Sequence, residues 1–340
     1  MKHIAGTVCR SWIRRRGWRK AQAIGGALLG LGILGLRGRL LKALMFASDC
    51  ANRLSILRRP PVRVARIFAN RSYGSHRQQR LDVILPAGHP PYPSMVFVHG
   101  GGWVAGDKSV YDPICRSFAE AGYCVVNVNY RLGPGRGWPM PVQDVADAVN
   151  WVCERGIQYG ADPSALFLAG DSAGAHLVSW YAAALTRPEL LAGANVRGLP
   201  PGAVVRGLLL FYGVYDLGAL LRSDRPFIRT MVRTLLACPE PQIAERAAAA
   251  SPLAHVGPGM VPCMVSAANV DALSSQSVWL VERLAAHGVP CRKLFLSREA
   301  YPDARHGFLF LHWTKGALDA LRASVEFMQD LLADAPLRQA

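Results

Sequence analysis

Ser172 stands at the centre of Gly170-Asp171-Ser172-Ala173-Gly174, directly behind the apolar run Ala165-Leu166-Phe167-Leu168-Ala169 and ahead of a helical pattern. A serine in a strand–turn–helix setting of this kind has the chemistry of an acyl-transfer nucleophile. The spacing has a steric reason. A chain that reverses at the serine brings its second neighbours too close to carry a Cβ, so glycine is required at 170 and 174. The hydroxyl then projects above the sheet, and the helix that follows points its positive end at developing negative charge. Gly-x-Ser-x-Gly recurs by chance, and its weight here comes from the strand before it and the helix after it.

A second cluster, His99-Gly100-Gly101-Gly102-Trp103, follows the apolar run Met95–Val98. Three glycines let backbone N–H groups converge with no side chain in the way. Together with the N–H of Ala173 they suit an oxyanion hole. The bland alternative is a flexible turn. A phosphate cradle is disfavoured, because neither Walker spacing nor Gly-x-Gly-x-x-Gly is present. A base is also needed, and His306, in Ala304-Arg305-His306-Gly307-Phe308, lies between the last strand candidate and the last helix. His99 belongs to the glycine loop and is expected to shape it. His176 lies on the helix after the serine and reads as packing or a local hydrogen bond, while His255, His287 and His312 read as surface residues. The acid that fixes the imidazole tautomer should fall between serine and histidine in chain order. Asp271, just after the run Val261–Ser266, is best placed; Asp216 follows an earlier strand, and Asp303 reads as a turn former beside His306.

The elements that must position these residues alternate. Strand patterns cover Leu81–Leu85, Met95–Val98, Tyr123–Asn129, Leu166–Ala169, Gly207–Tyr212, Val261–Ser266 and Arg292–Leu296. Helical patterns cover Val110–Ala121, Val142–Arg155, Ala173–Leu185, Ser275–His287 and Thr314–Leu332. The alternation predicts an α/β fold: a mostly parallel sheet with helices on both faces. Residues 216–250 break the rhythm with no strand pattern, and a short helical cap is expected there rather than a long plain crossover.

With these motifs in place the sequence resembles the hormone-sensitive lipase-like esterases of the α/β-hydrolase superfamily. The resemblance rests on His-Gly-Gly-Gly-Trp at 99–103, Gly-Asp-Ser-Ala-Gly at 170–174, Asn129-Tyr130-Arg131-Leu132, Ser251-Pro252-Leu253 and His306-Gly307-Phe308, over residues 80–335. It implies hydrolysis of carboxylic esters through an acyl-enzyme, with neither metal nor organic cofactor, and a short cap with a nearly neutral body permits small or medium esters. It also implies a triad of Ser172, Asp271 and His306 and oxyanion donors at Gly101, Gly102 and Ala173. Trp103 is expected to help shape the acyl pocket. Two departures stand out: Gly133-Pro134-Gly135 replaces the usual Ala-Pro-Glu, and Asp271 lacks both the usual acidic or glycine residue before it and the Pro-Leu after it. An amidase, peptidase or lactonase uses the same constellation, since fold does not fix substrate. A non-catalytic binding protein is disfavoured because every catalytic element is present.

The net charge of +16 suggests a nucleic-acid binder until it is located. Residues 1–80 hold 18 Lys and Arg against one acid, whereas the other 260 hold 21 basic and 22 acidic residues. Residues 81–340 are therefore nearly neutral, the catalytic body expected over 61–340 adds only the five arginines of 61–80, and most of the basic excess sits in an arm, residues 1–60. Inside that arm Ala21–Leu36 runs 16 residues without a charge, slightly short of the ~20 that span a bilayer. An uncleaved signal anchor is favoured over a cleaved secretory signal, an amphipathic surface segment or a packed extension. Membrane contact explains the arm better than nucleic acid does. The basic flank before Ala21 would leave the catalytic body on the extracytoplasmic side. The eight cysteines show neither Cys-x-x-Cys nor metal-ligand spacing, and Cys124 and Cys263 read as buried thiols. Deleting residues 1–60 is expected to abolish sedimentation with membranes; unchanged partitioning would refute the anchor.

Overall fold

A computed structural model of the protein describes residues 62–334, and the N-terminal arm read as a membrane contact lies outside them. Eight strands form one sheet in the order β1-β2-β4-β3-β5-β6-β7-β8. These are β1 Arg66–Ser72, β2 Arg80–Leu85, β3 Tyr92–Val98, β4 Cys124–Asn129, β5 Ala161–Asp171, β6 Val205–Phe211, β7 Cys263–Ala268 and β8 Cys291–Leu296. β1 pairs antiparallel with β2 and β2 antiparallel with β4; every other pair is parallel.

The parallel core reads as continuous apolar runs because both faces are covered. Along β3, Met95 and Phe97 pack on one side and Val96 and Val98 on the other. The first side meets α1 (Asp112–Glu120) and, through residues such as Ala317 and Ala320, the last helix, α9 (Lys315–Ala333). The second side meets α2 (Met140–Arg155) and α3 (Ala173–Leu185). All of α3 except Leu185 is buried, which explains why it is apolar all round rather than striped.

β1 is the strand that the sequence pattern does not reveal. Arg-Ile-Phe-Ala-Asn-Arg-Ser is mostly exposed and does not alternate, since an edge strand buries little. Its register slips between Phe68 and Arg71, where Asn70 takes φ 58° and donates its N–H to Asp82 Oδ1 at 2.6 Å. Bulges and flanking arginines blunt an open edge, and Arg66 and Arg71 both lie over the Phe68 ring.

A short helix α4 (Pro188–Gly193) follows α3. Between β6 and β7 the chain then builds three helices, α5 (Leu217–Arg222), α6 (Pro226–Leu236) and α7 (Ile243–Ala250). This is the segment that the sequence marks as irregular. Ser251 ties its ends together: its hydroxyl oxygen accepts from Leu217 N at 2.9 Å and donates to the Ala247 carbonyl at 2.6 Å. The next helix, α8 (Ser274–Ala286), carries Gln276, whose side-chain oxygen accepts from the N–H groups of Tyr215 and Asp216.

After β4 the chain is held by an ion pair. Arg131 grips Asp144 through Nε and Nη2, its backbone N–H donates to the same carboxylate, and Gln79 Nε2 adds a fourth donor. The Asp144 side chain is wholly buried, so its charge depends on these partners. Arg131→Leu is therefore expected to destabilise the protein by about 3 kcal/mol, because an uncompensated buried carboxylate remains. Urea unfolding measures it, and a loss below about 1 kcal/mol would show that the pair behaves as a surface bridge.

Candidate active site

The backbone at Ser172 is bent out of the ordinary regions, with φ 48° and ψ −114°, between the end of β5 and the first turn of α3. The flanking glycines cannot be replaced. A Cβ at Gly170 would lie 2.5 Å from the Gly174 carbonyl carbon, and one at Gly174 would lie 1.9 Å from the Val98 carbonyl oxygen. Ser172 N donates to the Phe211 carbonyl at 2.9 Å, which pins the reversal to β6. Ala173 opens α3, so its N–H belongs to the first turn, where no carbonyl within the helix can accept it.

His306 Nε2 lies 3.0 Å from Ser172 Oγ, and His306 Nδ1 lies 2.7 Å from Asp271 Oδ2. The three residues brought together are those read from the sequence, separated by up to 134 positions. An ionised carboxylate only accepts, so Nδ1 carries the proton and Nε2 is free to accept from the serine hydroxyl. The Asp271 side chain is 2% exposed and that of His306 38%. Asp271 Oδ1 also accepts from Leu273 N at 2.9 Å, which fixes the carboxylate plane. Tyr212 packs edge-on against the imidazole at 5.1 Å, and Phe308 packs edge-on against Tyr212 at 4.9 Å. The rival acids are elsewhere: Asp216 caps α5 through Ala219 N, and Asp303 is exposed in a turn.

The glycine loop runs beside the serine because β3 and β5 are adjacent and parallel, with Val98 opposite Gly170. Gly101, Gly102 and Trp103 have φ of 111°, 57° and 61°. The positive φ disfavours a side chain at both glycines, and at Gly101 neighbouring backbone excludes one. A Cβ on Gly101 would lie 2.2 Å from the Ala105 carbonyl oxygen, and one on Gly102 would lie 2.1 Å from Met231 Sδ on α6. Trp103 carries the same left-handed backbone with a large side chain, a strain of about 1–2 kcal/mol that its surroundings must offset. Its side chain is turned inward, 3% exposed, with the indole N–H on His176 Nδ1 at 3.2 Å. His99 shapes the loop as expected: Nδ1 donates to the Gly100 carbonyl at 2.7 Å, and its ring stacks on Tyr130. Burial lowers its affinity for a second proton.

Sequence reasoning missed three contributors. Asp171, beside the serine, is buried beneath the glycine loop; Oδ1 accepts from Gly100 N at 2.6 Å and Oδ2 from the Tyr111 hydroxyl at 2.9 Å. Desolvation pushes its carboxyl up to about 7, against the opposing pull of the Tyr111 and Gly100 donors. Its place inside the serine motif was the available signal. Tyr111 and Met231 left none, because their contacts are set by packing. His255, read as a surface residue, is 9% exposed and its Nε2 donates to the Ala249 carbonyl at 2.8 Å. Among the described residues the six cysteines are free thiols, and burial raises Cys124 to about 12. Cys263 is raised as well by burial. Among the same residues no group of three or more His, Cys, Asp or Glu side chains is arranged to hold a metal ion.

A mostly parallel sheet with a serine at a strand–helix reversal, facing a histidine–aspartate pair, defines a class of α/β protein. The profile of one family, described as the alpha/beta hydrolase fold, matches residues 95–310. The chain belongs to that family. It is 31% identical over 186 residues to the probable carboxylic ester hydrolase LipM of Mycobacterium tuberculosis, covering 53% of this chain and 42% of that protein. It is 28% identical over 278 residues to the esterase LipQ of the same organism, covering 77% of this chain and 63% of that protein. The matches thus span less than two thirds of either relative. The crystal structure of esterase B from Lactobacillus rhamnosis superposes with a TM-score of 0.78 at 22% identity, covering 87% of this chain and 96% of that one. At that identity the likeness is one of fold.

The raised carboxyl of Asp171 sets a pH dependence. A group whose folded value exceeds its unfolded value contributes stability at low pH that is lost as pH rises through the folded value. Asp171→Asn, which mimics the protonated acid, should therefore gain stability relative to the native chain between pH 5 and pH 8. With folded and unfolded values of about 7 and 3.8, the relative gain is about 2–3 kcal/mol. Thermal melts of both proteins across that range measure it. A constant difference would show that Asp171 does not titrate there.

Proposed function

We propose that the protein is a serine carboxylesterase. The observation that carries this reading is the line from Asp271 Oδ2 through His306 to Ser172 Oγ, at 2.7 and 3.0 Å. His306 takes the Ser172 proton as Oγ attacks the ester carbonyl, and Asp271 stabilises the resulting imidazolium. The oxyanion rests on the N–H groups of Gly101, Gly102 and Ala173. Collapse expels the alcohol, which takes the proton from His306, and water then resolves the acyl-enzyme under the same base. Relatives named carboxylic ester hydrolase and esterase support the substrate class.

The catalytic domain covers residues 61–340, and α5 to α7 form its cap over the glycine loop, with Met231 against Gly102. A short cap and a nearly neutral body suit small to medium esters. The burial of Trp103 favours a role in fixing the loop that borders the acyl pocket over direct contact with the acyl chain. The basic arm, with its uncharged run Ala21–Leu36, supports a membrane contact. Among the described residues no helix is long and apolar enough to cross a membrane.

Hydrolysis of p-nitrophenyl esters from acetate to palmitate tests the reading. A burst and a chain-length optimum are expected, and Ser172→Ala should lower kcat by about 10⁵–10⁶ while the protein stays folded. Substantial esterase activity in that variant would overturn the assignment, and faster turnover of matched amides would make the protein an amidase.

A further inference from the structure

His176 lies one helical turn beyond Ser172 on α3, with no exposed surface. Its Nδ1 faces the Trp103 indole nitrogen at 3.2 Å, and its Nε2 faces the Ala250 carbonyl oxygen at 2.8 Å. An indole N–H only donates and a carbonyl oxygen only accepts. One tautomer satisfies both contacts: Nδ1 bare and Nε2 protonated. A second proton on Nδ1 would set donor against donor at Trp103. Burial opposes that proton, pushing the ring down to about 4.

Both ends of this contact need a partner. Trp103 holds a left-handed backbone, φ 61°, immediately after Gly101 and Gly102, a conformation that a residue bearing a Cβ disfavours. Its ring meets that of His176 edge-on at 5.1 Å, and its carbonyl accepts from Gly133 N at 2.9 Å. At the other end, Ala250 closes α7, where the last carbonyls have no acceptor role left inside the helix. Ring N–H groups meet that need: His176 on Ala250, and Trp180 and His255 on Ala249. Two of those rings, His176 and Trp180, lie four residues apart on α3, hence on one face of it.

We infer that His176 is a positioning residue for the oxyanion hole. Its Nδ1 holds Trp103 in the left-handed conformation that aims the N–H groups of Gly101 and Gly102, and its Nε2–H moors the ring to the end of α7. The inference rests on the reading of those glycines as oxyanion donors. It makes the geometry of the glycine loop depend on α3, the helix that also carries the serine, so that the two halves of the site share one reference. It also links the loop to the segment proposed as the cap.

Asparagine and glutamine separate the two nitrogens. The Asn side-chain oxygen occupies the place of Nδ1 and accepts from Trp103, whereas the Gln side-chain nitrogen occupies the place of Nε2 and serves only Ala250. The measurements are kcat and KM on the preferred p-nitrophenyl ester, and inhibition by a trifluoromethyl ketone, whose serine adduct carries the oxyanion. Rates are taken per site labelled by a fluorophosphonate, so that unfolded protein does not count. His176→Gln and Trp103→Phe should each lower kcat about tenfold and weaken inhibition by the same factor, with KM within twofold. His176→Asn should stay within threefold of the native enzyme. Equal losses in the Asn and Gln variants, or a rise in KM with kcat unchanged, would overturn the inference. Trp103→Phe keeps a buried ring and decides the matter alone if the His176 variants do not fold. A native chain that neither hydrolyses esters nor takes the label would refute the esterase reading itself; an active native chain with equal variants refutes the inference alone.

Discussion

A Cβ at position 174 would sit 1.9 Å from the Val98 carbonyl oxygen, so the first turn of α3 lies directly against the end of β3. The tight reversal at Ser172 depends on that approach, and much of the site depends on the reversal. Because β3 and β5 run side by side with Val98 opposite Gly170, the loop leaving β3 and the serine leaving β5 emerge at the same sheet edge. The glycine loop therefore meets the serine through strand order, and the cost of the bent backbone at 172 is carried by a buried helix and a close-packed sheet.

Two carboxylates near the serine are handled in opposite ways. Asp271 has an imidazole and a backbone N–H as partners, and its outer neighbour, His306, reaches solvent. Asp171 accepts from the Tyr111 hydroxyl and the Gly100 N–H in a fully desolvated place, and desolvation outweighs these donors, so its carboxyl rises. The first arrangement fixes the orientation of an imidazole. The second fastens the glycine loop to the motif that carries the serine, at the expense of a buried group whose charged form is disfavoured.

The three helices between β6 and β7 are bound to the site by contacts of different kinds. Met231 fills the space above Gly102, Ser251 closes the segment on itself, and the last carbonyls of α7 hang on rings from α3 and from His255. These contacts make the inserted segment part of the packing around the loop.

The motifs of the site and the alternation of strands and helices were legible in the sequence because each has a local cause. Gly170 and Gly174 are demanded by a reversal within five residues, and the runs from Met95 to Val98 and from Leu166 to Ala169 report strands buried on both faces. Chain order, and a place just beyond a strand, directed attention to Asp271 and His306. β1 stayed hidden because an exposed, bulged edge strand has neither alternation nor an apolar run to announce it. His255 was misread for a related reason: its burial against Ala249 depends on where α7 ends, which no neighbour in sequence records. The partners of Asp171, the inward turn of Trp103 and the two contacts of His176 were decided by tertiary structure alone. Sequence patterns encode a residue's own backbone and its burial; which groups meet across 60 or 70 positions is set only when the sheet and its helices close around them.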